Sequence, residues 1–298
     1  MRLLVVGANG LLGSNVVHAA QQREWDVCGT YHSTQPDFPM PLTQFDLQTH
    51  EDFEAILTEF TPDVVVNCAA MTDVDACERD PETARILNGT APASLARQCA
   101  ARDVAFVHIS TDYIFDGASR QPYLETAAPN PIQVYGKSKL TGEQAVREEH
   151  PTALVARLSF VWGIHRHHDE LTGFPAWVRG QLQEGTEVPL FTDQWLTPTR
   201  AGAAATTLLE LIERDVSGLF HVACQSCVTP YEFGVEIAEI GGYDTARLTE
   251  SSLGDVERDA RRPGYSCLDV SNIESTLDRP QPTLQADLDA VEAVFNST

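Results

Sequence analysis

Three glycines within the first thirteen residues constrain the fold more than any other feature of the chain. They occur as Gly7-Ala8-Asn9-Gly10-Leu11-Leu12-Gly13, between an apolar, β-rich run, Arg2–Val6, and an amphipathic stretch, Leu11–Gln22, that reads as a helix. A strand that passes into a helix through glycines opens a βαβ unit whose turn holds a dinucleotide. Gly7 permits the tight turn, Gly10 lets the backbone approach a pyrophosphate, and Gly13 allows the helix to pack closely on the strand. The pyrophosphate then rests on the positive end of the helix dipole. The spacing is G-x-x-G-x-x-G rather than G-x-G-x-x-G, and the plain alternative is a glycine-rich turn that holds nothing.

The alternation that begins there continues. Strands are expected at Arg2–Val6, Asp26–Tyr31, Leu42–Asp46, Asp63–Cys68, Ala105–Ser110 and Ala153–Leu158. Helices are expected at Leu11–Gln22, Glu51–Glu59, Pro81–Arg102 and Tyr135–His150. Strand–helix alternation of this kind builds a Rossmann-like, doubly wound parallel sheet of the α/β class, with ligands at the carboxyl ends of its strands. After Ser159 the pattern loosens. His165–Gly173 reads as a polar loop, Phe174–Glu184, Ala201–Arg214 and Tyr231–Ile240 as helices, and Gly218–Ala223 as a strand. Ala286–Phe295 reads as the closing helix. The expected division is a dinucleotide-binding domain over 1–158, with 190–220 returning to it. A smaller C-terminal α/β substrate domain takes 159–189 and 221–298.

Charge narrows the partners. The formal net charge is −23, from 43 carboxylates against 20 basic residues. That field disfavours nucleic acid or an anionic membrane as partner. Eighteen of the basic residues are arginines, and the two lysines are Lys137 and Lys139. An acidic, lysine-poor composition resembles that of proteins from salt-loving archaea, where salt screens the self-repulsion. No apolar run reaches the roughly 20 residues that span a bilayer. Met1 leads straight into the glycine strand, so no signal peptide is read and a cytoplasmic location is expected. In that reducing compartment the seven cysteines read mostly as small buried hydrophobes. Cys224-Gln225-Ser226-Cys227 is the one close pair, and no second pair follows to complete a zinc site.

Tyr135-Gly136-Lys137-Ser138-Lys139 opens a predicted helix, so Tyr135 and Lys139 share a face at i, i+4. A phenol with a pKa of about 10 exchanges protons poorly at neutral pH, and a nearby ammonium favours the phenolate. The pair is therefore an acid–base device for carbonyl and alcohol chemistry. The string alone is common, and its bland reading is an exposed helix turn. Two facts weigh against that: it follows the nucleotide-binding pattern, and it keeps lysine where the chain elsewhere uses arginine. A planar guanidinium does not replace a compact ammonium. Upstream, Ser110-Thr111-Asp112-Tyr113 closes a strand at the carboxyl edge. Thr111 is the preferred hydroxyl to orient a reacting carbonyl, with Ser110 as the alternative. The end of the second strand, Tyr31-His32-Ser33, has neither a carboxylate for a ribose 2′-hydroxyl nor an arginine for a 2′-phosphate. The cofactor is thus NADP(H) or NAD(H), with a mild lean to the phosphorylated form.

These motifs, with Asn67–Ala70, Thr72–Asp75, Arg157–Gly163, Asp193-Gln194, Thr197–Thr199, Gly218–Val222 and Arg261–Pro263, resemble the extended short-chain dehydrogenase/reductases. Within them the chain is most similar to the dTDP-4-dehydrorhamnose reductase family, over nearly its whole length. The resemblance implies that Gly10, Leu11 and Leu12 lie along the cofactor pyrophosphate and that Asp46 and Leu47 hold its adenine. It places Cys68, Ala69 and Ala70 at a ribose and Ile109 on the nicotinamide side, with Asn9 and Leu158 also among the expected cofactor-binding residues. Thr111, Tyr135 and Lys139 match the catalytic trio, and Thr111 and Asp112 also touch the sugar of a nucleotide-sugar substrate. Phe160 stands where relatives carry a tryptophan that packs on substrate; Trp162, two positions on, is its candidate substitute. Arg262 is the candidate partner of the substrate diphosphate, with a surface ion pair as the plainer reading. Arg166 in the His165–Asp169 loop is a weaker candidate, and no metal is expected on its histidines.

Two rival readings stand beside a reductase. A dehydratase or epimerase of the superfamily is disfavoured because Asp112 is followed by Tyr113 rather than by glutamate. A non-catalytic relative resembling the regulatory subunit of methionine adenosyltransferase would not need the retained Tyr135 and Lys139. A homodimer is compatible with all of these, and the sequence leaves assembly open.

Overall fold

The computed structural model describes residues 1–295. Its elements in chain order begin β1 (Arg2–Val6), α1 (Leu11–Gln21), β2 (Asp26–Tyr31), β3 (Leu42–Gln44), α2 (Phe53–Phe60), β4 (Val64–Asn67) and α3 (Val74–Arg79). Next come α4 (Pro81–Arg85), α5 (Ala91–Ala100), β5 (Ala105–Thr111), α6 (Val134–Glu149) and β6 (Leu154–Leu158). The second half holds β7 (Val161–His165), β8 (Glu170–Thr172), α7 (Phe174–Gln183), β9 (Val188–Phe191), β10 (Thr199–Arg200), α8 (Ala201–Glu213) and β11 (Gly218–His221). It ends with α9 (Pro230–Ile240), β12 (Leu248–Ser251), α10 (Ser271–Leu277), α11 (Leu284–Asp289) and α12 (Glu292–Phe295).

Seven parallel strands form the main sheet in the order β11-β6-β5-β4-β1-β2-β3. The central runs Leu3–Val6 and Val64–Val66 are apolar without interruption because both faces are covered. Alternate residues of one strand feed opposite layers. Leu3 and Val5 of β1 join one core with Val16, Val17 and Ala20 of α1 and Leu208 and Leu209 of α8. Leu4 and Val6 join the other, with Phe53 and Leu57 of α2 and Leu95 and Cys99 of α5. The order reverses direction between β1 and β4, which opens a crevice at the carboxyl ends of those strands. Every site described below lies there or beside it.

A third core, around Trp162, Val178, Leu190, Phe233, Leu248, Leu284 and Phe295, sits under β7, α7, the β9–β12 pair, α9 and the closing helices. The segment over 190–220 divides between the layers. Strand β9 pairs with β12, β10 pairs with β7, and α8 and β11 complete the main sheet. Helix α10 packs Ile273 and Leu277 on the main core.

Three expectations are corrected. The stretch His165–Gly173 is not all loop: β7 and β8 form an antiparallel hairpin whose turn is residues 166–169, too short for alternation to register. The long helix expected over Pro81–Arg102 is interrupted by a π-turn at Ile86–Thr90. Pro92 cannot donate to the carbonyl of Asn88 four residues back, and its ring would collide with it, so the helix widens there. The closing helix is two, broken after Asp289. The cysteines also depart from the reduced reading: Cys227 is bonded to Cys267, with Cα atoms 5.6 Å apart, and Cys224 remains a buried thiol. Among the described residues no helix is long and apolar enough to cross a membrane.

Candidate active site

The crevice is a cleft of about 630 Å³. At one end Gly7 takes φ +82°, a backbone that side chains rarely adopt, and a Cβ on Gly13 would lie 2.1 Å from the Gly7 carbonyl oxygen. Only glycine lets α1 start so near the strand. The first N–H groups of α1 have no side-chain cap, so they are free to meet an anion with the helix dipole behind them. A dinucleotide fits this cradle, and the cleft beyond it has the residues for the rest of the molecule. Gly7, Asn9, Gly10, Leu11, Leu12 and Gly13 line the end at the glycine turn, with Tyr31, His32 and Ser33 also in the lining. Cys68, Ala69, Ala70, Ile109 and Leu158 line the far end. Asp46 and Leu47 do not line the cleft. Leu47 is buried in the α2–α5 core, and Asp46 caps the turn after it and lies 3.7 Å from His32. A carboxylate thus reaches the end of β2 from the next element, which reading β2 alone misses.

Tyr135 and Lys139 stand on the first turns of α6, at the far end of the cleft. The helix approaches closely because residue 136 is glycine: a Cβ there would fall 2.1 Å from the carbonyl oxygen of Tyr113. The buried Lys139 ammonium donates to the Ile109 carbonyl at 2.5 Å. Burial pulls Lys139 down to about 8, and the Glu143 carboxylate one turn below opposes that pull. Glu143 is itself clamped by Arg157, at 3.0 and 2.5 Å, and accepts from Ser110 Oγ at 3.0 Å.

Burial pushes the Tyr135 phenol well above its usual value, and a hydrogen bond with Thr111 opposes this. The expectation that Lys139 lowers that phenol is not what dominates here, since the ammonium is not among the leading influences on it. A raised phenol stays protonated, which suits a proton donor. Thr111 Oγ1 lies 3.1 Å from Asp112 Oδ1 and accepts from the Tyr113 amide. Ser110, the alternative, lines the same cleft but donates its hydroxyl to Glu143. Asp112 is sealed in, accepting from Ser159 Oγ at 2.9 Å, and burial raises it to about 6 against hydrogen bonds from Ser266, Ser159 and Thr111.

A second cavity of about 400 Å³ adjoins the first, sharing Tyr113 and Phe160 with it. Phe160 holds φ +45° at the bend between β6 and β7, an uncommon backbone for an aromatic residue and one that recurs at ligand sites. Trp162 does not face either cavity. It is fully buried against Phe233 in the third core, so the structure does not bring it beside Phe160 as the candidate substitute. Arg262 lines the second cavity, yet its guanidinium is paired with Asp75 at 2.7 and 3.3 Å. Arg258, which sequence reasoning missed, lines the same cavity with its guanidinium 4.9 Å over the Phe191 ring. Among the described residues it has no salt bridge. Arg166 is tied to α1 through Asn15 and lines neither cavity. Of the loop histidines, His165 Nε2 bonds the Asn9 carbonyl and His167 Nδ1 accepts from the Asp37 amide.

The family model described as the RmlD substrate binding domain matches residues 1–296. The chain is 52% identical over 99% of its length to a probable low-salt glycan biosynthesis reductase, Agl14, of Haloferax volcanii, covering 99% of that protein. It is 34% identical to a dTDP-4-dehydrorhamnose reductase of Mycobacterium tuberculosis, over 90% of this chain and 84% of that one. The fold is similar to a crystal structure of dTDP-4-dehydrorhamnose reductase from Bacillus anthracis in complex with NADP. Its TM-score is 0.86 and its identity 25%, with 97% of each chain covered. With a dinucleotide cradle and a Tyr135–Lys139 pair at its far end, the chain belongs to the RmlD family of dTDP-4-dehydrorhamnose reductases and is an NAD(P)H-dependent oxidoreductase.

Proposed function

We propose that this chain reduces the C4 ketone of a nucleotide-activated 6-deoxy-4-keto sugar, with dTDP-4-dehydrorhamnose as substrate and dTDP-L-rhamnose as product. The observation that carries the reading is that the cleft lined by Thr111, Tyr135 and Lys139 adjoins, through Tyr113 and Phe160, a second cavity lined by Arg258, which has no salt bridge among the described residues. A nucleotide-sugar needs that continuity, because its ketone must meet the cofactor while its diphosphate and base extend elsewhere.

In this reading the bound dinucleotide supplies hydride. The chain does the rest. Tyr135 donates its proton to the carbonyl oxygen as the alkoxide develops, Thr111 turns its hydroxyl toward the same oxygen, and Lys139 holds the cofactor ribose. Closing this region to water strengthens each of these contacts. Arg258 pairs with the diphosphate, since Arg262 is already committed to Asp75. Tyr113 in place of a glutamate leaves no second carboxylic acid beside Asp112 for elimination chemistry.

The test is oxidation of NADPH and NADH by purified protein in molar salt with dTDP-4-keto-6-deoxy-sugar. Tyr135→Phe is expected to lower turnover by about 10³-fold while cofactor affinity stays nearly unchanged, in line with removal of a general acid. Tight cofactor binding without turnover in the wild-type protein would favour a non-catalytic role. Undiminished turnover in Tyr135→Phe would refute the mechanism.

A further inference from the structure

The second cavity contains a tryptophan out of place. Trp177, on the first turn of α7, is 46% exposed although it lines a largely apolar cavity, and Val256, which lines it too, is 44% exposed. These are two of the four large hydrophobic side chains most exposed among the described residues. The Trp177 ring leans on Phe174, with centroids 5.9 Å apart, and Phe174 packs in turn on Phe160 and Phe233. An indole supported on one side and open on the other is a stacking platform that lacks its second layer.

The polar side chains around it are already occupied. Gln194 is the hydrogen-bonding neighbour of the Tyr113 phenol, Ser251 donates to Asp255 at 3.2 Å, and Arg262 is paired with Asp75. The remaining charge is Arg258, whose fork suits a diphosphate rather than the edge of a base. The cavity thus offers aromatic faces and one cation outside any salt bridge, while its other polar side chains each already have a partner within the protein.

We infer that Trp177 stacks on the nucleobase of the substrate and that the enzyme recognises its nucleotide handle by stacking and by Arg258, without reading the base edge. The inference rests on the sugar-nucleotide reading above. Stacking tolerates sequence because every base presents a π-face. A site built on hydrogen bonds instead rejects an analogue that inverts them by orders of magnitude.

Calorimetric titration of the NADP⁺-loaded protein with dTDP, UDP and CDP tests this, because uracil and cytosine share a size and exchange donor for acceptor at C4. The three diphosphates are expected to bind within about tenfold of one another. Trp177→Ala is expected to weaken all three by about 10-fold, in line with alanine truncation of a stacking residue, and Trp177→Phe to retain most of the affinity. Unchanged NADP⁺ affinity reports that the variants are folded. If all three bind but CDP is weaker than UDP by more than about 100-fold, or if Trp177→Ala leaves every affinity unchanged, the inference is overturned and the sugar-nucleotide reading stands. If none binds the wild-type protein, both fall.

Discussion

Lys139 shows what a single residue has to balance. It is one of two lysines in an arginine-rich chain, and it is buried where its charge is costly. Burial brings it to about 8, and the Glu143 carboxylate keeps it from falling further. Its ammonium is the species present below that value and is lost above it. The Tyr135 phenol, raised by burial, stays protonated through the same range. The kcat/KM for ketone reduction is therefore expected to be level near neutrality and to decline as pH rises through about 8. A pH–rate profile with no decline below pH 9.5 would show that the charge on Lys139 is not needed. The other lysine, Lys137, is exposed on the same helix, and nothing in the structure explains its retention.

At the scale of elements, α6 is held to β6 by the Glu143–Arg157 pair, both side chains 2% exposed, and to β5 by the Ser110 hydroxyl on Glu143. Arg157 also reaches His221 on β11, which burial and that guanidinium hold down to about 3, so the ring stays neutral. A buried pair that loses one partner leaves an uncompensated charge. Glu143→Ala is expected to destabilise the protein by about 3–5 kcal/mol. A Glu143→Ala/Arg157→Met double variant is expected to recover part of that loss. Urea denaturation of both variants checks this, and equal losses in the two would show that the stranded arginine is not the cause. Both Ser110 and Thr111 end the same strand, and period-two alternation sends one down to Glu143 and the other up to Tyr135.

For the whole molecule the governing quantity is a net charge of −23. Like charges on the surface repel over about 10 Å at 0.1 M salt and over about 3 Å at 1 M. Raising KCl from 0.1 to 2 M is expected to lift the melting temperature by on the order of 10 °C, equivalent to a few kcal/mol for a chain of this size. A melting temperature that is flat over this range would argue against a salt-adapted surface. The surface ion pairs are spread over the chain: Arg79 with Asp259, Arg85 with Glu82, and Arg102 with Glu54. Each is worth little singly at an exposed site, so they do not offset the excess of carboxylates.

Local chemistry was legible in the sequence, because glycine spacing, strand alternation and an i, i+4 pair act over a few residues. Gly7 to Gly13, the six strands of the first half and Tyr135 with Lys139 could be read that way, since each depends on neighbours in the chain. Distances between remote segments could not. Whether Arg262 was free depended on Asp75, 187 residues away, and Arg258 became the open cation only because that pair forms. Asp46 reached the end of β2 from a neighbouring element, Trp162 turned into the third core, and Cys227 found Cys267 across 40 residues. The sequence determined which groups the chain has for a dinucleotide and a proton transfer. The tertiary structure decided which of them remained unpaired, because partners drawn from distant segments are fixed only when the layers pack.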